Sequence, residues 1–316
     1  MEKVIVVIGP TSVGKTKMGV ALAKKFNGEV ISGDSMQIYK QMDIGTAKVT
    51  EEEKEGIIHH CVDILNSDET YSVHDFQQTV RKKITEITQR GHVPIIVGGT
   101  GLYIKAALYD YQFDEMENDH HAINEKYKDY TNEQLHDHLK SIDEESAKIL
   151  HFNNRRRVLR AIEIYETTGK RKSEMLEEQE HICLYDAYFV GLTLPRDVLY
   201  ERINKRVDVM MENGLKEEMD CLYSQGLTRN HQSMKAIGYK EWFDYYDHQI
   251  DLNDVLELIK KEETIELIKK HSRQYAKRQY TWFKNQFDVH WYDVNLENFE
   301  QTIEQVTDDI EKILKV

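Results

Sequence analysis

The chain is poor in several things that would decide its class. It has three prolines in 316 residues, so no Pro-rich linker separates domains. Its three cysteines, Cys61, Cys183 and Cys221, are odd in number and far apart. That excludes a disulfide framework and a CxxC zinc site, and it suits a reducing cytoplasm. No apolar stretch approaches the ~20 residues that a membrane span needs. The opening "MEKVIVVIG" is too short and wrongly flanked for a signal peptide, because its apolar run feeds straight into a glycine turn. A cytoplasmic protein without a membrane anchor is the expectation. Cations are also scarce: 42 Lys and Arg against 56 Asp and Glu leave a net charge of −14. Such a chain does not coat nucleic acid indiscriminately.

The charge is uneven, however. Residues 110–150 are acid-rich ("YDYQFDEMENDHH", "SIDEESAK"), whereas "NNRRRVLR" and "KKHSRQYAKRQ" are dense in Arg and Lys. Runs of this kind are most often solvated helix faces, and clustering alone points only weakly to nucleic acid.

The first hundred residues alternate strand and helix. Val4–Ile8 reads as a strand, followed by a glycine-rich turn and a helix that stops at Asn27–Gly28. "EVIS" reads as a short buried strand ending just before Asp34. Thr50 with Glu53, and Ser72 with Asp75, have the spacing of helix starts. "VHDFQQTVRKKITEITQR" is helical by its apolar spacing and ends at Gly91. "VPIIVGGTG" gives another buried strand and a second glycine turn. Buried strands alternating with helices predict an α/β fold: a P-loop-type parallel sheet covered by helices. From about Asp114 the sequence turns polar and helix-forming until "LYDAYFVGLTL" restores a strand. Residues 114–183 are therefore expected to be a helical insertion, with 1–113 and 184–316 forming the core. Beyond Pro195 the chain reads as helical, with a return strand at "FDVHWYDV".

Residues 9–16, "GPTSVGKT", match G-x-x-x-x-G-K-[ST] in the strand–turn–helix setting the motif requires. The backbone N–H groups of Gly9, Pro10, Thr11, Ser12, Val13 and Gly14 (proline excepted) would face an anion. Lys15 would reach terminal phosphate oxygens, and Thr16 can hold Mg²⁺. A nucleotide hydrolase would add an apolar strand ending in Asp. Here "VPIIV" ends instead in Gly98–Gly99–Thr100–Gly101, a turn suited to close approach of a ligand. The acid follows the second strand, as Asp34. Carboxyl ends of parallel strands share one edge, so Asp34, Thr100 and the phosphate turn should converge. Asp34 is open to three readings: metal ligand, base, or turn-former.

These residues resemble the bacterial tRNA dimethylallyltransferase (tRNA isopentenyltransferase) family. The resemblance runs nearly end to end, through "GPTSVGKT", "DSMQIYKQMDIGTAK", "HHCVDI", "VGGTGLY", "NNRRRVLRAIE", "RVDVMMENGL", "KAIGYKE" and "RQYAKRQYTWFK". The phosphate turn is widely shared; the Asp34–Lys48 and Arg273–Lys284 blocks are far more specific. The resemblance implies transfer of a dimethylallyl group from dimethylallyl diphosphate to the N6 amine of the adenosine 3′-adjacent to a tRNA anticodon. It implies that Lys15, Thr16 and Mg²⁺ hold the diphosphate, with Arg206 helping. It makes Asp34, Thr100 and Arg206 the catalytic set, with Asp34 meeting the adenine amine. Ser35, Met36 and Gln37 would line the base pocket, and Thr100, Arg156, Arg157, Arg160, Arg273 and Lys277 would lie along the anticodon stem-loop. A monomer is expected. Two departures stand out: Phe152 where proline is expected, which leaves the start of the arginine helix open, and Lys235 where Gln is common.

Other residues invite weaker readings. His59–His60, His120–His121 and His136–His138 lack the company of metal ligands. Tyr275, Tyr280, Trp282 and Phe283 stand beside basic residues and could stack on bases, although packing of an amphipathic helix is the better reading for most of them. Two rival functions are a small-molecule or nucleotide kinase and a nucleotide-gated RNA-binding switch.

Overall fold

The structure, a computed structural model, describes residues 1–111, 120–178, 181–247 and 254–314. Strand β1 (Lys3–Ile8), helix α1 (Lys15–Lys25), β2 (Gly28–Ser32), α2 (Glu51–Lys54), β3 (His59–His60), α3 (Val73–Gln89), β4 (Val93–Val97) and α4 (Gly101–Leu108) come first. Five helices follow: α5 (His120–Lys126), α6 (Asn132–Ile142), α7 (Glu144–Ile149), α8 (Arg155–Thr168) and α9 (Lys172–Glu178). The chain then returns through β5 (Asp186–Thr193), α10 (Arg196–Glu212), α11 (Leu215–Ser224), α12 (Trp242–Asp247), α13 (Asp254–Gln286), β6 (His290–Asp293) and α14 (Phe299–Leu314).

The strands form one six-stranded sheet in the order β3-β2-β4-β1-β5-β6, parallel throughout. Because successive side chains point to opposite faces, β1 feeds two cores. Val4, Val6 and Ile8 enter the core built with Phe76, Val80, Ile84 and Ile104. Ile5 and Val7 enter the other, with Met18, Leu22, Val306 and Ile310. The expected parallel sheet, including the return strand, is thus present. The two anticipated helix starts are capping boxes: Thr50 and Glu53, and Ser72 and Asp75, exchange side-chain-to-backbone bonds. In each, two backbone donors at the helix start are satisfied. Strand β3 is an addition to the sequence reading; two residues are too few to carry a periodic pattern.

The chain divides into two compact units, Met1–Tyr109 with Cys183–Val316, and Asp110–Ile182. The expected lower limit of the insertion, residue 114, lies outside the described residues. At the upper limit, Cys183 belongs to the larger unit, where it bridges Tyr109 and Leu184 N–H donates to Leu108 O. The smaller unit has its own core of Ile123, Tyr127, Leu135, Leu139, Val158, Leu159 and Ile162. No helix among the described residues is long and apolar enough to cross a membrane.

Candidate active site

The carboxyl ends of β1, β2 and β4 lie side by side, and their turns are laced together. Gly33 N–H donates to Val97 O, Gly98 N–H to Val7 O, and Thr100 N–H to Gly33 O, at 2.8, 3.1 and 3.2 Å. Asp34, the Gly98–Thr100 turn and the phosphate turn therefore share one edge.

In the phosphate turn, Gly14 is the residue before α1 and has φ 104°, a left-handed conformation that glycine adopts without a Cβ penalty. It lets the turn enter the helix with its first amides unpaired by the helix, the arrangement that holds anions. Lys15 Nζ donates to Pro10 O at 2.8 Å, and Arg206 donates to Thr11 Oγ1 at 2.9 Å. Arg202 adds a bond to Ser12 O at 3.0 Å, while the buried Ser12 hydroxyl has no partner among the described residues. Burial, and then the neighbouring Arg206, lower the Lys15 ammonium to about 7, with Asp34 pulling the other way. Burial also lowers Arg206, again opposed by Asp34. Two cations with lowered pKa around a backbone-lined turn make a site in which an anion would be strongly favoured.

Asp34 Oδ1 accepts Met36 N–H at 2.8 Å, so the turn-former reading is true of one oxygen. The other accepts no hydrogen bond among the described residues and is free for a ligand. Thr100 Oγ1 accepts Ser35 N–H at 3.2 Å, which fixes the residue after Asp34 to the second glycine turn. A cavity of about 320 Å³ opens from this edge. Thr11, Ser12, Asp34, Ser35, Met36 and Arg206 line it, with Gly45 and Thr46. Its apolar wall comes from Ile203, Val207, Met210, Ile237, Ile268 and Tyr275, and Lys235, Lys240 and Arg278 stand at it as cations. Gln37 is not part of the lining. Its amide instead accepts from Ser32 Oγ at 3.2 Å and reaches Thr46 O and Ala47 O at 3.4 Å, bracing the wall from behind.

That wall has a second support. Glu218 of α11 accepts the backbone N–H groups of Asp43, Ile44 and Gly45 at 2.8, 2.8 and 3.1 Å, and the Tyr239 hydroxyl at 2.6 Å. Lys48 bonds Tyr39 O, Asp43 and Asp63 at 2.7, 2.6 and 2.5 Å.

A family model described as IPP transferase matches residues 37–286. A tRNA dimethylallyltransferase of Bacillus cereus (strain AH187) is 53% identical over 296 residues, 93% of this chain and 90% of the relative. One of Bacillus anthracis is also 53% identical, over 93% of this chain and 91% of the relative. This chain belongs to the IPP transferase family. Among solved structures it is similar to the tRNA delta(2)-isopentenylpyrophosphate transferase of Staphylococcus epidermidis, with TM-score 0.71, 46% identity and 99% of both chains covered. It is also similar to a eukaryotic dimethylallyltransferase acting on tRNA, with TM-score 0.84, 32% identity, and 99% of this chain and 79% of that one covered.

The IPP transferase match begins after the phosphate turn and Asp34, so those residues stand on their own geometry. The remaining expected residues fall into three groups. Arg206 and Thr100 join Asp34 at the sheet edge. Arg156 and Arg157, in the smaller unit, are exposed, and their guanidinium groups make no bond among the described residues. Arg160 pairs with the buried Glu163 at 2.8 Å, and Arg273 is held by Asn204 of α10. Lys277 is exposed. The arginine helix begins at Arg155 after Asn154, which gives no side-chain cap, and Phe152 stacks on His151 at 4.4 Å.

The histidines serve structure. His60 bonds Glu29 at 2.6 Å, His136 Nε2 donates to Ala147 O and Leu150 O, and His138 meets the Tyr127 hydroxyl; the side chains of His120 and His121 lie outside the described residues. Phe283 is core, and Tyr280 sits against Trp291 at 5.0 Å. Sequence reasoning missed Glu218 and Gln279. Glu218 lies outside the blocks quoted above and Gln279 lies inside the Arg273–Lys284 block without a role read for it; each acts on residues far away in the chain.

Proposed function

We propose that this chain transfers a dimethylallyl group from dimethylallyl diphosphate to the N6 amine of the adenosine 3′-adjacent to the anticodon of tRNA (position 37), releasing diphosphate. One observation carries the reading. A single cavity connects the phosphate turn, through Thr11 and Ser12, to Asp34, and it has an apolar wall. That wall suits the apolar five-carbon chain of a prenyl donor whose diphosphate sits at the turn.

The chemistry follows from the residues. The adenine amine is a poor nucleophile because its lone pair is delocalised into the ring. The free oxygen of Asp34 takes the amine proton as nitrogen bonds to the allylic carbon, a contribution of roughly 10²–10⁴-fold. The bond from that carbon to the diphosphate oxygen breaks, and its electron pair leaves with the diphosphate. Lys15, Arg206 and the fixed amide dipoles of residues 12–16 stabilise the charge that develops there, the Thr11 N–H being donated to Gln279 instead. The exposed Arg156 and Arg157 suit tRNA phosphates, and a single-stranded loop presents an adenosine that can be turned out of its stack. Among the described residues no group of three or more His, Cys, Asp or Glu is arranged to hold a metal. A Mg²⁺ would be held by the Thr16 hydroxyl, in the first turn of α1 beside the phosphate turn, and would add further neutralisation of the leaving group.

The test is to incubate the protein, Mg²⁺ and unmodified tRNA with dimethylallyl diphosphate or with ATP, then weigh the digested nucleosides. A dimethylallyl adduct on adenosine with the prenyl donor alone is expected. Phosphate transfer from ATP to a small molecule, with no adduct, would overturn the reading in favour of a kinase.

A further inference from the structure

Helix α13 carries the basic run that reads, in sequence, as an RNA-facing surface. Its opposite face does something else. Tyr275, Gln279 and Trp282, spaced i, i+4 and i+7, fall on one side of the helix, and all three meet the second glycine turn. Tyr275 donates to Gly99 O at 3.4 Å. A Cβ on Gly101 would lie 2.2 Å from the Trp282 ring, and one on Gly99 would lie 2.2 Å from the Gln279 amide nitrogen. Gly99 and Gly101 have no room for a side chain because this helix is pressed against them.

Gln279 goes further, because it also reaches the other turn. Only 5% exposed, its Oε1 accepts Thr11 N–H at 2.9 Å and its Nε2 donates to Gly99 O at 3.0 Å. Thr11 belongs to the phosphate turn and receives Arg206. Gly99 adjoins Thr100, which holds Ser35 beside Asp34. One primary amide thus ties the turn for the leaving group to the turn that anchors the base-side carboxylate. Both of its functions are needed at once: an acceptor toward Thr11 and a donor toward Gly99. Among the uncharged side chains of this length only glutamine supplies both.

We infer that Gln279 is a positioning residue that sets the spacing between the two substrates' binding turns. The inference rests on the prenyl-transfer reading above. Reacting atoms must meet at about 3–3.5 Å, and a 1 Å misplacement costs about 10²-fold in rate. Loss of the bridge should therefore slow the chemical step while leaving each substrate's own contacts in place.

The experiment compares wild type, Gln279→Met and Gln279→Glu by single-turnover prenyl transfer at saturating donor and tRNA. Affinities for inorganic pyrophosphate and for unmodified tRNA are measured separately. Gln279→Met keeps the length and removes both hydrogen bonds. It should lose about 10²-fold in rate, with both affinities within about threefold of wild type. Gln279→Glu supplies a titratable version of the bridge. When protonated, its carbonyl oxygen accepts from Thr11 N–H and its hydroxyl donates to Gly99 O; when ionised, it faces the Gly99 carbonyl with no proton to give. Burial and that carbonyl raise the new carboxyl group above its ordinary value, opposed by the Thr11 N–H and by Arg206 on Thr11 Oγ1, with the Tyr275 hydroxyl also against it. Relative to wild type at each pH, the Gln279→Glu rate should rise about tenfold as pH falls from 8 to 5.5, while the Gln279→Met ratio stays flat. A packing role would not produce that difference. A flat Gln279→Glu ratio, or a Gln279→Met rate within threefold of wild type, overturns the inference. Should the carboxylate variant not fold, the split between rate and affinity in Gln279→Met decides alone. Failure of the wild-type protein to form any adduct would overturn the activity instead, so the two failures are distinct.

Discussion

Two stretches of this chain look alike in sequence and differ in structure. "NNRRRVLR" lies in α8 of the smaller unit and "KKHSRQYAKRQ" in α13 of the larger. In α8, Arg155 is spent on its own unit, donating to Tyr130 O and Tyr127 O at 2.7 and 2.6 Å. Arg160 is spent on Glu163, and Arg156 and Arg157 remain. In α13, Lys269 pairs with Asp208 and Glu266 at 2.8 and 2.9 Å, His271 with Glu241 at 2.6 Å, and Arg273 with Asn204. Lys270 and Lys277 stay exposed, while the far face of the helix bonds the phosphate turn and the second glycine turn. A basic run is thus divided by its partners, and partners from distant elements are invisible to spacing. Under the proposed function, chemistry belongs to the sheet edge and tRNA binding to the arginine helix, and changes on one side should leave the other side's readout alone.

The largest effect belongs to the sheet edge. Asp34→Asn keeps an oxygen to accept Met36 N–H, so the turn persists, but it removes the proposed base. Single-turnover transfer should fall by about 10²–10⁴-fold, with tRNA affinity and its salt dependence little changed. Near-normal turnover would remove Asp34 from the mechanism and would erase the chemical side of the contrast.

How much of this was legible follows from where the information sits. The phosphate turn, Asp34 after β2 and the glycine turn after β4 are local signals, and strand order brings them together by a general property of parallel sheets. The division of labour among arginines was not legible, because Arg155 and Arg156 are adjacent and identical in type. Only the carbonyls of Tyr127 and Tyr130, some 25 residues earlier, distinguish them. Gln279 was passed over for the same reason: its partners are 268 and 180 residues away. The two-residue β3 was too short to read, and Gln37 sits where expected in sequence but turns its amide to Thr46 rather than to the cavity.

The arginine helix itself offers the next effect. Arg155→Ala removes charge-assisted bonds to two backbone carbonyls and should cost the protein about 1–3 kcal/mol of stability. Arg156→Ala, which breaks none, should leave the melting transition within about 0.5 kcal/mol of wild type. Equal losses from both substitutions would contradict the assignment of Arg155 to structure.

Lys15 gives a smaller, pH-dependent effect. With its pKa lowered to about 7 in the unliganded site, the ammonium is charged below pH 7 and largely neutral above it. A bound diphosphate favours the charged form, so binding above pH 7 must first take up a proton. That requirement weakens affinity by up to about tenfold per pH unit. Lys15→Arg, which stays charged throughout, should lack this component. The ratio of wild-type to Lys15→Arg pyrophosphate affinity is then expected to fall as pH rises from 7 to 8.5. A constant ratio would mean that Lys15 stays protonated in the free site.

The smallest effect tests the binding side of the comparison most directly. Arg156 and Arg157 are the two α8 arginines whose side chains have no partner among the described residues, so each is free to neutralise a tRNA phosphate. Each such contact releases condensed counterions and contributes about 0.7–0.9 to the slope of log affinity against log salt. Replacing one with Ala should lower the slope by that amount, which between 50 and 200 mM salt is only about a threefold change in affinity. The double variant should lower it by twice as much, while the single-turnover rate at saturating tRNA stays within about twofold of wild type. Arg273→Ala serves as the counterpart from α13. Because Asn204 holds its guanidinium, the slope should move by less than for either α8 arginine. If Arg273→Ala lowers the slope as much as Arg156→Ala, the two basic runs are equivalent RNA surfaces after all, and the division drawn from their partners fails.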